Sequence, residues 1–286
     1  MLLFAKQILF APLCEYVQSL NIKTHWVPTY SVFHCHVYAP ETVQHVVFLQ
    51  RGPEWALLEF LTHKKIKVSI LNTEQMTRYI APRQEGDEVP FPFDNFLMSY
   101  IRSGKLESII DYTVENIKIW KMLFYNLNVH LRCFLSRPTL ITMQKTKDVV
   151  FVGDASSDHR QDILRVVEPT ILVGSYGPKR DSVLYAHKIL LNIHFGPTYN
   201  VFEELRCLPC VLAGMVVVSE TSKFDANHPL HKFIIFANYD ELAFKIEDVQ
   251  ANYDSIQHKL YCNNTAFDNL LTDIKVYENQ VNSKIE

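Results

Sequence analysis

The sequence predicts a doubly wound α/β protein with two domains in tandem, and three observations carry that expectation. Short apolar runs rich in β-branched residues alternate with amphipathic segments along the whole chain, as strands joined by crossover helices do. The 286 residues suffice for two domains of usual size, and an apolar content of 48% provides a core for each. From His187 to Thr221, strand, loop, helix and strand follow one another closely, ending in Met215-Val-Val-Val-Ser219. A strand that apolar is buried on both faces, as in a parallel sheet.

The first domain is expected over residues 1–137. Leu2 to Tyr30 reads as a strand, an amphipathic helix (Leu9 to Leu20) and a strand (Lys23 to Val27), with His34 to Tyr38 as an extended edge. Val46 to Leu49 is a strand, Pro53 to Leu61 a helix and Ile66 to Leu71 a returning strand; proline suits a first helical turn, where its missing N–H removes no bond. Asn72-Thr-Glu-Gln75 ends this βαβ unit. Pro82 to Pro92 is a charged, proline-rich surface loop. Asp94 to Arg102 is helical, Ser108 to Asp111 a strand, Val114 to Tyr125 a helix and Asn128 to Phe134 the closing strand. Residues 138–147 are polar and aperiodic, which marks them as the linker.

The second domain is expected over residues 148–286. Asp148 to Val152 is a strand, Gly153 to Ser157 a turn, Asp158 to Val167 a helix and Thr170 to Val173 a strand. A loop with Lys179 and Arg180 leads into a short helix at Asp181 to Ala186, and Lys188 to His194 is the next strand. Phe195-Gly-Pro197 cannot continue a regular element. Val201, Phe202, Leu205, Leu208, Val211 and Leu212 then fall at three- and four-residue steps, so a helix from Val201 to Ala213 has one apolar face, and Gly214 ends it. Lys232 to Phe236 is a further strand, followed by helices Tyr239 to Val249, Tyr253 to Tyr261 and Ala266 to Glu278.

Composition narrows the function classes. A formal charge of -3 and no long basic run argue against bulk binding to nucleic acid or anionic membrane. Lys64-Lys65 and Lys145 with Lys147 read as solvated. The six cysteines are scattered, which fits reduced thiols in a cytoplasmic protein. The start lacks a charged leader, so no secretory signal is expected, and no window reaches the roughly 18–20 clean apolar residues of a membrane span. The glycosylation sequon Asn263-Asn-Thr265 matters only outside the cytosol.

In an open parallel sheet, ligands sit beyond the carboxyl ends of strands and at the start of the following helix, where backbone N–H groups are unpaired and the dipole is positive. Phe195 to Asn200 occupies that place, with Val201, Glu203 and Glu204 at the helix start. An acid there also serves simply to complement the dipole. Gly153-Asp-Ala-Ser156-Ser157 follows a buried strand and opens a helix, so it is either a phosphate-binding turn or an ordinary one. His194 ends a buried strand, as a ligand contact or a structural hydrogen-bonder. Glu74 follows an apolar strand at its carboxyl edge, where partial desolvation raises a carboxyl pKa toward that of a useful base. Asp111 is its competitor, and either alternatively caps the next helix. Cys207-Leu-Pro-Cys210 has the spacing of a redox pair or zinc half-site, but lies inside the helix without a second such pair; His34-Cys35-His36 would put two imidazoles on one side of a strand without a clear third ligand.

The order Leu191-Asn-Ile-His194, Glu203-x-x-Arg206, a helix, then Gly214-x-Val-Val-Val-Ser-Glu220 resembles the nucleotide-binding half of GT-B-fold glycosyltransferases. Val149-Val-Phe-Val-Gly-Asp154 with Asp158-His-Arg160, and Ile70-Leu-Asn-Thr-Glu-Gln75, are similar to the same group, particularly its short bacterial and large-virus members. The resemblance implies two Rossmann-like domains facing a cleft, and transfer of a hexose, or a pentose such as xylose, from a UDP-sugar to a glycan hydroxyl. It implies that Glu203 holds the ribose hydroxyls and that the preceding loop receives the diphosphate. Arg160, Lys179 and Arg180 either neutralise that diphosphate or are ordinary surface cations. Retaining members often carry two glutamates eight residues apart; here Phe195 and Gly196 stand eight before Glu203 and Glu204, which favours inversion. Members generally work without a bound metal, and no Asp-x-Asp pair is present, so neither metal nor permanent cofactor is expected. A nucleotide-sugar epimerase and a noncatalytic sugar-nucleotide-binding module share the architecture and remain alternatives.

Overall fold

Two parallel sheets organise the chain. The structure, a computed structural model, describes residues 2–4, 25–27, 45–49, 55–72, 75–76, 101, 104–132, 143–173 and 178–285. The chain divides into two units, Met1–Arg137 with Glu278–Glu286, and Pro138–Tyr277. The expected helix Leu9 to Leu20, edge His34 to Tyr38, loop Pro82 to Pro92 and helix Asp94 to Arg102 (Ile101 apart) lie outside the described residues, as does Glu74.

In the first unit six strands are described: β1 (Leu2–Phe4), β2 (His25–Val27), β3 (His45–Leu49), β4 (Lys67–Leu71), β5 (Ser108–Asp111) and β6 (Val129–Leu131). They lie in the order β2-β1-β3-β4-β5-β6, each described pairing parallel. Helices α1 (Trp55–His63) and α2 (Val114–Leu123) connect them. Val46, Val68, Ile70, Ile109 and Leu131 are buried along the strands, with Trp120 of α2 against them.

Asp111, at the carboxyl end of β5, ties this unit together. Its side chain is 0% exposed and accepts hydrogen bonds from Asn72 (2.7 Å), Trp120 Nε1 (2.8 Å), Asn116 (3.0 Å) and the backbone N–H groups of Tyr112 (2.7 Å) and Thr113 (3.2 Å). Burial pushes its pKa up to about 6 against the opposing pull of these donors. The carboxylate therefore holds β4, β5 and the start of α2 in register. That corrects the expectation of a catalytic base: both oxygens are occupied and shielded from any acceptor hydroxyl.

The second unit contains β7 (Lys147–Val152), α3 (Asp158–Val167), β8 (Thr170–Leu172), α4 (Pro178–Leu184), β9 (His187–Asn192), α5 (Glu204–Leu212), β10 (Val216–Glu220) and β11 (Ile234–Ala237). Helices α6 (Leu242–Ala251), α7 (Tyr253–Tyr261), α8 (Thr265–Asp268) and α9 (Leu270–Ile285) follow. The strand order is β11-β10-β9-β7-β8, parallel throughout. Counted within the unit from β8, that order is 2-1-3-4-5, so the winding reverses between β7 and β9, the point where sheets of this topology form a crevice at the strands' carboxyl ends. Phe151, Ile189, Leu191, Val216 and Val218 form the core with Leu242, Ile246 and Val249 of α6.

Three expectations change. The helix after β9 begins at Glu204 rather than Val201 because residues 200–202 pair with Lys223: its N–H donates to Asn200 O (2.6 Å) and its carbonyl accepts from Phe202 (3.3 Å). Lys145, read as solvated, donates to the carbonyls of Tyr185 and Ala213, both at 2.7 Å, and burial draws its pKa down to about 8. The C-terminal residues Glu278–Glu286 belong with the first unit, not the second. There Asn282 both donates to and accepts from the backbone of Leu131 (3.0 and 2.8 Å), satisfying the outer edge of β6, and Glu278 pairs with Arg132.

The chain's three tryptophans, Trp26, Trp55 and Trp120, all lie in the first unit, so their fluorescence reports on that unit alone. Replacing Asp111 by Ala removes the carboxylate that five buried donors share, and the expected loss is about 3–5 kcal/mol, read from urea unfolding by tryptophan emission. A midpoint equal to wild type would remove Asp111 from its structural role.

Candidate functional site

The crevice of the second unit is built first by the turn after β7. Gly153 takes φ +138°, in the region that favours glycine, and its N–H donates to Leu172 O (3.2 Å). A Cβ there would stand 3.2 Å from Arg206 Nη2, so the bare backbone lets that guanidinium seat against the turn. Asp154 accepts from the Ser156 N–H (2.8 Å), and hydrogen bonding from the Ser156 side chain first, then from this N–H, holds its carboxyl below the usual range. Ser157 caps α3 by accepting from the Arg160 N–H (3.3 Å).

Arg160 then fastens the β7 side of the crevice to the β9 side. Nε donates to the carbonyls of Ile193 (3.1 Å) and His194 (3.2 Å), Nη2 to Ile193 (3.0 Å) and Nη1 to Asp154 O (2.7 Å). Its Cζ lies 5.3 Å from the ring centres of both Phe151 and Phe195, within cation–π range. Burial first, then Arg206, draws its pKa down to about 10, which leaves it charged at neutral pH. The sequence placed Arg160 against a diphosphate; the structure gives its donors to backbone carbonyls, so it positions the loop.

Arg206 is the cation that sequence reasoning quoted only as part of a motif. Nη1 donates to Asn192 Oδ1 (2.8 Å) and to Glu203 Oε2 (2.6 Å), while Glu203 Oε1 lies 3.7 Å from Arg160 Nη2. Glu203 is the N-cap residue of α5, and its side chain makes no capping bond. The signal for this pair was the i, i+3 spacing of Glu203 and Arg206, which places two side chains on one helical face.

Beneath the pair lies His194, 1% exposed, with neither ring nitrogen bonded. Its backbone is fixed, the N–H donating to Glu220 Oε2 (3.0 Å) and the carbonyl accepting from Arg160. Glu220 ends β10 and also meets His159 Nε2 at 3.0 and 3.1 Å. The His159 ring stacks on Tyr239 (4.0 Å, 18°), whose hydroxyl donates to the His159 carbonyl (2.9 Å). Burial lowers the pKa of His194, opposed by Glu203 and Glu220. Asn200 Oδ1, further along the same loop, is likewise buried and unbonded. A buried polar atom without a partner is costly unless something fills the role, and here three such atoms share one loop. Gly196 faces open space: an added Cβ would meet nothing within 4 Å.

Gly153, Ser156, Arg160, His194, Asn200, Val201 and Glu203 are thus all on the two segments that border the crevice, though Val201 is fully buried. Lys179 is an exposed residue of α4 whose carbonyl accepts from Ser182, and Arg180 pairs with its neighbour Asp181. Glu220 and His159 stood in the sequence only inside quoted motifs, with no role assigned, since a strand-terminal acid and a first-turn histidine carry no chemical signature of their own. Cys207 and Cys210 are free and buried, and burial pushes the Cys210 thiol up to about 12 and that of Cys207 well above its ordinary value. Protonated, shielded thiols do not act as nucleophiles or metal ligands. His34, Cys35 and His36 lie outside the described residues. Among the described residues no group of three His, Cys, Asp or Glu side chains could hold a metal ion, and no helix is long and apolar enough to cross a membrane.

No family model matches the sequence. Its curated relatives include uncharacterized proteins of Acanthamoeba polyphaga mimivirus. One is 29% identical over 168 residues, which is 56% of this chain and 58% of the relative. A second is 31% identical over 212 residues, 68% of this chain and 26% of the relative. The chain therefore spans between about a quarter and three fifths of the length of these relatives. Among solved structures, phage T4 BGT in complex with UDP and Mn2+ matches with a TM-score of 0.56 at 14% identity over 100% of both chains. Sucrose-phosphate synthase from Thermosynechococcus elongatus gives 0.52 at 10% identity, over 96% of this chain and 78% of that one. Both are GT-B glycosyltransferases. The chain shares their fold.

The contact between Gly153 and Arg206 has a measurable consequence. Gly153→Ala adds a methyl group at positive φ and against a guanidinium, and is expected to cost about 1–3 kcal/mol in thermal unfolding. In an Arg206→Ala background the steric part disappears, so the cost should shrink there. Equal costs in the two backgrounds would show that Arg206 does not press on the turn.

Proposed function

We propose that the chain is a glycosyltransferase that moves a sugar from a UDP-sugar to a glycan hydroxyl, binding the donor at the crevice between β7 and β9. The observation that carries this reading is the group of buried, unbonded polar atoms on His194 and Asn200, beside the start of α5. A fold shared over the whole chain with a protein solved with UDP supports it. The Gly153 to Ser156 turn and the Asn200 and Val201 segment would border the diphosphate, with Arg206 supplying charge and Arg160 holding the loop. Glu203 would take the ribose hydroxyls, and Lys179 would act as an outlying cation that attracts the ligand at longer range.

For the reaction, Glu74 is proposed as the base that takes the proton from the acceptor hydroxyl as its oxygen attacks the anomeric carbon and UDP leaves. This is an inverting displacement in which the helix start and Arg206 stabilise the leaving diphosphate. Transfer without a metal ion is part of the proposal, and activity that survives EDTA is its expected sign. Loss of activity in EDTA with recovery on adding Mn2+ would replace that part.

Incubating the protein with a UDP-sugar, with and without glycan acceptor, separates the readings. A glycosylated acceptor and free UDP are expected; an isomerised donor would point to an epimerase, and an intact, tightly held donor to a binding module. Glu203→Ala should weaken UDP binding about tenfold or more, equivalent to roughly 1.4 kcal/mol, whereas Glu74→Ala should leave binding near wild type and abolish turnover. Matching effects from both would overturn this division of roles.

A further inference from the structure

The charges around the crevice nearly cancel. Two guanidiniums, Arg160 and Arg206, stand with two carboxylates, Glu203 and Glu220, and the carboxylate of Asp154 lies close by on the β7–α3 turn. Arg160 is committed to carbonyls and Arg206 to Asn192 and Glu203. A sugar nucleotide brings a dianionic diphosphate to a place that offers, among the described residues bordering it, little uncommitted positive charge beyond the partial charge of the α5 start.

His194 is the group able to supply what is missing. Its ring is buried among Glu203 and Arg206 of α5, Glu220 of β10 and His159 of α3, while Arg160 of α3 holds its carbonyl. Neither of its nitrogens has a partner among the described residues. A neutral imidazole offers one donor and one acceptor, and an imidazolium offers two donors. With a phosphate oxygen on one side and a carboxylate on the other, both donors of the imidazolium are satisfied and the added charge is balanced.

We propose that the crevice binds its sugar nucleotide together with a proton, which is taken up from solvent by His194. This rests on the nucleotide-sugar reading above and adds to it a charge-balancing role for one residue. Burial favours the neutral ring; an arriving diphosphate raises its proton affinity. Affinity therefore rises as pH falls, through the window between the free-state pKa, which lies below the ordinary histidine value, and the higher bound-state value.

The test is calorimetric titration with UDP-glucose at constant pH in buffers of different ionisation enthalpy. Its diphosphate is a diester with no group titrating near neutrality, so proton uptake reports on the protein. Wild type should take up roughly 0.5–1 proton per site at pH 7, and its Kd should fall between pH 8 and pH 6. His194→Gln should bind more weakly with no uptake, while His159→Gln should keep the uptake. Binding with no proton uptake and a flat pH profile, uptake retained in His194→Gln, or uptake lost in His159→Gln would each overturn the role of His194 and leave the nucleotide site standing. Failure of wild type to bind UDP-glucose would overturn the nucleotide reading itself, and this inference with it. Should His194→Gln not fold, the wild-type uptake and pH profile decide alone.

Discussion

The architecture of the site depends on one buried cation. Removing a guanidinium from water costs several kcal/mol unless its donors find partners, and Arg160 meets that cost with the carbonyls of Ile193, His194 and Asp154. Those carbonyls belong to the two loops that leave β7 and β9, where the winding of the sheet reverses. Loops at a switch point diverge, and without a bridge they would be free to sample many shapes. Arg160 gives them one, and in doing so fixes His194 and the approach to α5.

The first unit solves a similar problem with the opposite charge. Asp111 sits at the carboxyl end of β5 and collects donors from β4's exit, from α2 and from its own turn. In both units a buried ion holds the ends of parallel strands together. The difference is in what surrounds it. Every oxygen of Asp111 faces a donor, so that hub is closed, whereas the loop held by Arg160 retains buried polar atoms without partners on His194 and Asn200. A closed hub serves the fold, and an open one is suited to a ligand.

Much of this was legible in the sequence because apolar periodicity is a local property. The strands around Val150, Leu190 and Val217, the helix after Ser157 and the turn at Gly153 follow from spacing and from turn chemistry alone. The Glu203-x-x-Arg206 step and the position of His194 at a strand end are likewise readable from spacing. What spacing did not reveal was how side chains are shared across distant segments. Arg160 reads as a surface cation until the carbonyls of residues 193 and 194 are seen to surround it, and Asp111 reads as a reactive acid until five donors are found around it. The start of α5 slipped by three residues because Lys223, far along the chain, claims the backbone of residues 200 and 202. The C-terminal segment was assigned to the wrong unit because a pairing between Asn282 and Leu131 leaves no mark on hydropathy.

The central claim is that the loops leaving β7 and β9 form the nucleotide site, and amide hydrogen exchange of the whole chain with and without UDP tests it most directly. Slowed exchange is expected, confined mainly to residues 153–157 and 193–206. Unchanged exchange in those residues, or protection by UDP that falls elsewhere, would contradict it.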